Sequence, residues 1–94
     1  MNKDIELNNI PYKILKNYRD GFNIEAITER YTEYFEPYDY ILGDWSYGKL
    51  RLKGFYKKEN LKCRDLNSFE NIETYIKTNC AYDCRYFVIE KVIE

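Results

Sequence analysis

The sequence predicts an α+β domain with the element order β-α-β-β-α-β. Two segments carry apolar residues at helical spacing, and four carry the alternation or the apolar run that is typical of strands. This order is compatible with a ferredoxin-like arrangement, in which a four-stranded antiparallel sheet carries two helices on one face. The 94 residues suffice for one hydrophobic core, so we expect a single domain over residues 12–94, preceded by a polar arm at residues 1–11.

The first half of this domain is predicted to contain a strand, a helix and a second strand. The alternation of side chains over residues 12–19 indicates the first strand. An Asp-Gly turn follows, and Asn23 is a suitable N-cap for a helix over residues 24–35 with one apolar stripe. Pro37 ends this helix because proline lacks an amide hydrogen, and residues 38–43 form the second strand.

The second half is predicted to contain a hairpin, a helix and a final strand. Residues 44–48 have turn chemistry and form the hairpin loop before a third strand at residues 49–56. A polar connection then leads to Asn67, the predicted N-cap of a helix over residues 68–79. Residues 84–93 include the longest apolar run of the chain and form the last strand.

Positive charge is concentrated in the centre of the chain, although the net charge is only −1. Residues 45–64 hold seven basic residues and one acidic residue, interleaved with aromatic side chains. Cations bind phosphates, and aromatic rings on an open sheet face can stack on unpaired bases. The sequence therefore favours a non-enzymatic binding module that associates with RNA or the ribosome. Its contact residues would be Lys49, Arg51, Lys53, Lys57 and Lys58 for phosphate, with Tyr47 and Phe55 for stacking.

The same hairpin supports a second interpretation, an adaptor that docks on a protein partner with an acidic face. Trp45, Tyr47 and Phe55 would be its aromatic anchors. A basic strand face that meets only solvent is the ordinary alternative to both interpretations. Within the hairpin, we expect Asp44, Trp45 and Gly48 to form a structural latch, meaning residues that hold the loop against the domain.

No enzyme active site is predicted. The chain has no histidine, which excludes the Ser-His and Cys-His pairs of nucleophilic catalysis and any histidine metal ligand. No glycine-rich phosphate loop with Walker or Rossmann spacing is present either. Asp39 and Asp44 are the carboxylates near the hairpin that could share acid–base work. A simpler interpretation is that Asp44 caps a turn, while Asp39 is solvated or paired with a base.

The three cysteines predict neither a disulfide framework nor a metal site. Their number is odd, and Cys80 and Cys84 are separated by three residues, whereas the pairs that bind structural zinc are usually separated by two. Cys63 could supply a third ligand, and Asp65 or Asp83 a weak fourth. Because this set falls short of four good ligands, we predict free thiols, no metal and no cofactor.

The sequence also predicts a cytoplasmic protein that does not enter membranes. No segment reaches the roughly 20 apolar residues that cross a bilayer. The N-terminal residues lack the apolar stretch of a signal peptide.

Three stretches of the sequence resemble the YutD-like family, which comprises small cytoplasmic proteins of bacteria. They are residues 19–26 (RDGFN-x-EA), residues 38–56 (YDYI-x-GDW-x-YG-x-LRL-x-GFY) and the C-terminal set Tyr75, Ile76, Cys80, Cys84, Tyr86, Phe87 and Val88. The resemblance covers roughly residues 12–90. It implies a single cytoplasmic domain and transfers no catalytic residue. It marks the hairpin as the family's signature, with Trp45 as a latch and Tyr47 and Arg51 at the surface.

Overall fold

The computed structural model of the protein describes residues 3–80 and 84–92, and within them it shows five β-strands and two α-helices. Three short 3₁₀ turns complete the regular structure of this part of the chain. The α+β class predicted from the sequence is confirmed, but the number of strands is five and not four. The elements in chain order are β1 (Ile5–Leu7), β2 (Ile10–Tyr18), α1 (Ile24–Arg30), β3 (Tyr40–Ser46), β4 (Lys49–Phe55), α2 (Ile72–Asn79) and β5 (Tyr86–Lys91).

The five strands form one sheet in the order β1-β2-β5-β3-β4, with every pair of neighbours antiparallel. β5 lies between β2 and β3, so those two strands run parallel to each other and α1 connects them across the sheet. In a ferredoxin-like sheet the third of the four predicted strands would fill this gap. Here the last strand fills it, and the predicted ferredoxin-like order is therefore not found.

The two helices cover opposite faces of the sheet. Ile27 of α1 packs in a cluster with Phe87 and Ile89, whereas Ile72 of α2 packs in a second cluster with Val88. Successive residues of a strand point to opposite faces, so β5 is buried on both sides. The prediction of both helices on one face is wrong, because a strand with four consecutive buried residues needs cover on each side.

The described part of the N-terminal segment, from residue 3 onward, contributes a strand to the sheet and does not form a separate arm. β1 pairs with the start of β2, and Leu7 contributes to the core beside α1. The carboxylate of Asp4 accepts a hydrogen bond from the backbone amide of Ile14 at 2.8 Å. These contacts extend the folded domain to the N-terminal side of the predicted boundary at residue 12.

Both helices are shorter than predicted, because turn-forming side chains interrupt the helical pattern. Asn23 caps α1 as expected, and its side chain accepts from the Ala26 amide at 2.9 Å. Thr32 then caps a separate 3₁₀ turn, which ends the first helix early. Asn67 does not cap α2. Its side chain instead accepts from the amide of Arg64 at 2.7 Å, and a 3₁₀ turn precedes the helix.

None of the helices within residues 3–80 and 84–92 is long and apolar enough to span a lipid bilayer.

Candidate functional site

The tip of the β3–β4 hairpin is a two-residue turn that presents an aromatic ring to solvent. Ser46 and Lys49 form the last pair of the ladder, and Tyr47 and Gly48 have φ values of 53° and 76°. Two central residues with positive φ match the twist of the flanking strands, which makes such turns tight and rigid. The relative exposure of Tyr47 is 101%. The predicted five-residue loop is thus reduced to these two residues.

Trp45 fastens the hairpin to the rest of the domain. Its indole Nε1 donates a hydrogen bond to the carbonyl oxygen of Gly21 at 2.7 Å. The guanidinium of Arg85 lies 4.6 Å from the centre of the indole ring, and the backbone amide of Trp45 donates to the carbonyl of Arg85 at 3.1 Å. A Cβ atom at Gly21 would lie 2.6 Å from the backbone of Tyr86, so only glycine fits there. These are contacts of the kind expected for the latch.

Asp44 and Arg51 form an ion pair across the two strands of the hairpin. The Nη2 atom of Arg51 lies 2.5 Å from the Oδ2 atom of Asp44. The same Nη2 donates to the carbonyl oxygen of Asn79 at 3.1 Å, where cations are favourable at the end of α2. Asp44 is buried, with 4% relative exposure. Arg51 therefore compensates a buried carboxylate and ties the hairpin to α2.

The strand face that was expected to be open is covered by α2. Phe55 is fully buried, and its ring and that of Tyr75 form a T-shaped contact with the ring centres 5.6 Å apart. Lys53 lies over both rings, with its Nζ atom 5.0 and 5.4 Å from their centres. The stacking and anchoring roles predicted for Phe55 are wrong, because a ring in the core cannot contact a base or a partner protein.

The remaining predicted contact residues lie beyond the end of β4. The backbone amide of Lys57 donates to the carboxylate of Asp39 at 2.9 Å, and this buried carboxylate also accepts from Asn60 at 3.1 Å. Lys58 lies 3.9 Å from Glu70 in an exposed ion pair. Asp39 therefore caps a turn, the role predicted for Asp44, whereas Asp44 has the basic partner that was one of the two alternatives for Asp39. Asp39 lies about 16 Å along the chain from Asp44, too far for the two to share acid–base work.

A second feature of the hairpin is a cluster of one carboxylate and two thiols. The ligand atoms of Asp44, Cys80 and Cys84 all lie within 4.8 Å of one another. Burial, followed by the nearby Asp44 and Cys84, raises the pKa of the Cys80 thiol to about 12. Cys63 is elsewhere, with its sulfur 4.0 Å from the carbonyl of Tyr56.

Two surface cavities flank the hairpin tip. One, of about 370 Å³, lies on the α2 side and is lined by Tyr47, Arg51 and Cys80 among others. The other, of about 320 Å³, lies on the α1 side and is lined by residues that include Glu29 and Lys49. Trp45 borders both cavities. Within residues 3–80 and 84–92, the side chain of Lys49 forms no ion pair.

Comparison with known proteins assigns the family. A family model described as "Putative antitoxin YutD-like" matches residues 6–90. The chain belongs to this family. It is 40% identical over 88 residues to a Bacillus subtilis (strain 168) protein named "Putative antitoxin YutD", covering 94% of this chain and 97% of that protein. The solution NMR structure of protein yutD from B. subtilis is similar in fold, with a TM-score of 0.78, 39% identity and coverage of 96% of this chain and 82% of that one.

The YutD-like resemblance inferred from three sequence stretches is thereby confirmed. The family match begins at residue 6, within β1, which is consistent with an N-terminal strand that belongs to the domain.

The membership of Asp44 in the cysteine cluster is the feature that the sequence analysis of this YutD-like protein misses. The sequence offers Cys63 and Asp65 as partners of the Cys80–Cys84 pair, and the further candidate Asp83 lies outside the described residues. The residue that joins the pair is Asp44, because it is opposite Tyr86 in the β3–β5 register. Spacing along the chain could not reveal this neighbour, since the contact depends on which strand lies next to β3.

Proposed function

We propose that this protein is an antitoxin that neutralises a toxin protein by direct contact, with the hairpin tip as the contact surface. The family description and the name of the B. subtilis relative support the antitoxin class. The observation that carries the choice of surface is the conformation of Tyr47. We place this activity in the cytoplasm, the location that the sequence predicts.

Tyr47 occupies a position at which neither packing nor backbone conformation favours tyrosine. Its side chain is fully exposed, so burial in the core contributes nothing. Its φ of 53° lies in the left-handed region, where asparagine and glycine are the residues that turns of this type prefer. Non-glycine residues in such conformations cluster at functional sites. An aromatic ring on a tight turn, with few rotatable bonds, is a good anchor for a protein interface.

The surroundings of Tyr47 fit a protein partner with an acidic face. Tyr47 lines the cavity of about 370 Å³, and its turn neighbour Gly48 lines the cavity of about 320 Å³; both cavities could accept side chains from the partner. Lys49 adds a positive charge on the same tip, and opposite charges across an interface raise the association rate and favour the correct partner.

The structure favours this adaptor-type interaction over RNA binding. An RNA module needs several accessible cations and exposed rings on one face. Here Phe55 is buried, Arg51 is paired with Asp44 and Lys58 lies near Glu70. RNA binding is therefore the alternative that the experiment must distinguish from contact with a toxin protein.

The experiment compares Tyr47→Asn with the wild type, because asparagine suits the turn and removes only the ring. Leu61→Asn is the matched control, since Leu61 is also highly exposed but lies in another loop. Tagged protein is captured from its source cells, and each companion protein is identified by mass spectrometry. A true partner arrests growth when it is expressed alone, and the wild type and Leu61→Asn relieve this arrest.

Under the proposal, Tyr47→Asn fails to relieve the arrest although its thermal unfolding matches that of the wild type. Equal relief by Tyr47→Asn would show that the hairpin tip is not the contact surface. Co-purification of RNA that is lost in Lys49→Glu, without any growth-arresting companion, would instead replace the antitoxin proposal with the RNA interpretation.

A further inference from the structure

The cluster of Asp44, Cys80 and Cys84 brings together three side chains from three places in the fold. Asp44 is in β3, Cys80 follows the last residue of α2, and Cys84 precedes β5. Their oxygen and two sulfur atoms are mutually within 4.8 Å. In a tetrahedral zinc site, metal–ligand bonds of about 2.0–2.3 Å place neighbouring ligand atoms about 3.5–3.8 Å apart. A contraction of at most about 1.3 Å would bring these atoms to that spacing.

We propose that Asp44, Cys80 and Cys84 form a binding site for Zn²⁺. Two thiolates and one carboxylate supply three of the four ligands, and a water molecule completes the tetrahedron. Soft sulfur ligands select zinc over the hard cations Mg²⁺ and Ca²⁺. The site goes beyond antitoxin activity and does not depend on it.

The charge balance of the cluster favours a cation. Binding converts Zn²⁺, two thiols and one carboxylate into a complex with one net negative charge and releases two protons. Arg51 already donates a hydrogen bond to the Oδ2 atom of Asp44, and this bond orients the carboxylate. The positive charge of Arg51 also balances the net negative charge of the zinc complex.

The position of the cluster gives a metal ion access from solvent, and it also determines which elements a bound ion would hold together. Cys80 lines the cavity of about 370 Å³ on the α2 side of the hairpin, which leaves a route for the metal and the fourth ligand. A bound Zn²⁺ would cross-link the end of α2, the start of β5 and the hairpin strand that leads to Tyr47. Metal binding would therefore stabilise the folded protein and the hairpin together.

The test is a titration of reduced, metal-free protein with Co²⁺, which reports thiolate ligands through charge-transfer absorption and tetrahedral geometry through visible bands. We expect one equivalent to bind and Zn²⁺ to displace it. Cys80→Ser and Cys84→Ser should each remove about half of the charge-transfer intensity, because each deletes one of two thiolates. The affinity of each variant for Co²⁺ should fall by about tenfold or more, because substitutions of residues that only surround the ligands already lower metal affinity by about 10–100-fold.

Two controls separate metal binding from general effects on folding. Cys63→Ser should bind Co²⁺ as the wild type does, because its sulfur is outside the cluster. Asp44→Asn should weaken binding by about tenfold or more yet keep the full charge-transfer intensity at saturation, since both thiolates remain.

Thiol alkylation of the wild-type protein gives a readout that needs no variant. Zn²⁺ should protect Cys80 and Cys84 from alkylation while Cys63 reacts at an unchanged rate. Absence of charge-transfer absorption in reduced wild-type protein, equal Co²⁺ spectra in Cys80→Ser and wild type, or alkylation of all three cysteines at rates independent of Zn²⁺ would each overturn the proposal. A disulfide between Cys80 and Cys84 that forms in preference to a metal complex under these reducing conditions would overturn it as well.

Discussion

Replacing Trp45 with phenylalanine tests how strongly the latch holds the hairpin to the domain. Phenylalanine keeps an aromatic ring against the core but removes the indole N–H that donates to the carbonyl of Gly21. Gly21 is buried, so its carbonyl loses a partner at a cost of about 1–3 kcal/mol. The weaker interaction of phenylalanine with the Arg85 guanidinium removes a further fraction of the roughly 0.5–1 kcal/mol that such contacts provide.

We therefore expect Trp45→Phe to lower the free energy of unfolding by about 2 kcal/mol, which for a domain of this size lowers Tm by about 10 °C. Urea denaturation is followed by circular dichroism, because the substitution removes the only tryptophan of the chain. The urea m value should not change, since the same surface is exposed on unfolding. Tyr47→Phe is the control, because it alters only an exposed hydroxyl group and should stay within about 0.5 kcal/mol. A loss below about 0.5 kcal/mol in Trp45→Phe would refute the latch.

Three further substitutions test other contacts. Arg51→Ala leaves the buried Asp44 carboxylate without its cation, and we expect urea denaturation to show a loss of about 1–3 kcal/mol; no loss would mean that water replaces the guanidinium. Gly43→Ala places a Cβ against the ring of Phe87, and it should cost about 1–3 kcal/mol by overpacking in the same assay, whereas an unchanged midpoint would show that the ring can move. Burial and the Glu90 carboxylate raise the pKa of the Tyr40 hydroxyl from 10.0 to about 12. Because the folded protein holds this proton more tightly than the unfolded chain, the stability it contributes is complete below pH 10 and is lost as pH rises to about 12. Tyr40→Phe should show a smaller decline over that range, and identical declines would contradict the assignment.

Local patterns predicted the elements of the fold better than their arrangement. The cap of α1 by Asn23 follows from a side chain and an amide three residues apart, so the sequence reveals it directly. The central place of β5 depends on contacts between distant parts of the chain, and many orders are compatible with the same pattern of elements. One signal was available: the run from Tyr86 to Ile89 has no polar residue, and such a strand is buried on both faces.

In the candidate site, too, local features could be predicted from the sequence, whereas contacts between distant residues could not. The turn chemistry around Tyr47 and Gly48 was visible in the sequence, and the structure places both at the tip. The burial of Phe55 was not predicted, because alternation assigns residues to a face without saying which face a helix covers. The meeting of Asp44 with Cys80 likewise required the pairing of β3 with β5.

The central claim is that the Tyr47 ring anchors a toxin protein, and the dissociation constant of that complex tests it most directly. The measurement compares the wild type, Tyr47→Asn and Leu61→Asn against the growth-arresting partner at one salt concentration. An anchor residue contributes about 2 kcal/mol or more, so Tyr47→Asn should bind about 30-fold more weakly while Leu61→Asn binds as the wild type does. If Tyr47→Asn retained the wild-type dissociation constant within about threefold, the hairpin tip would not be the contact surface.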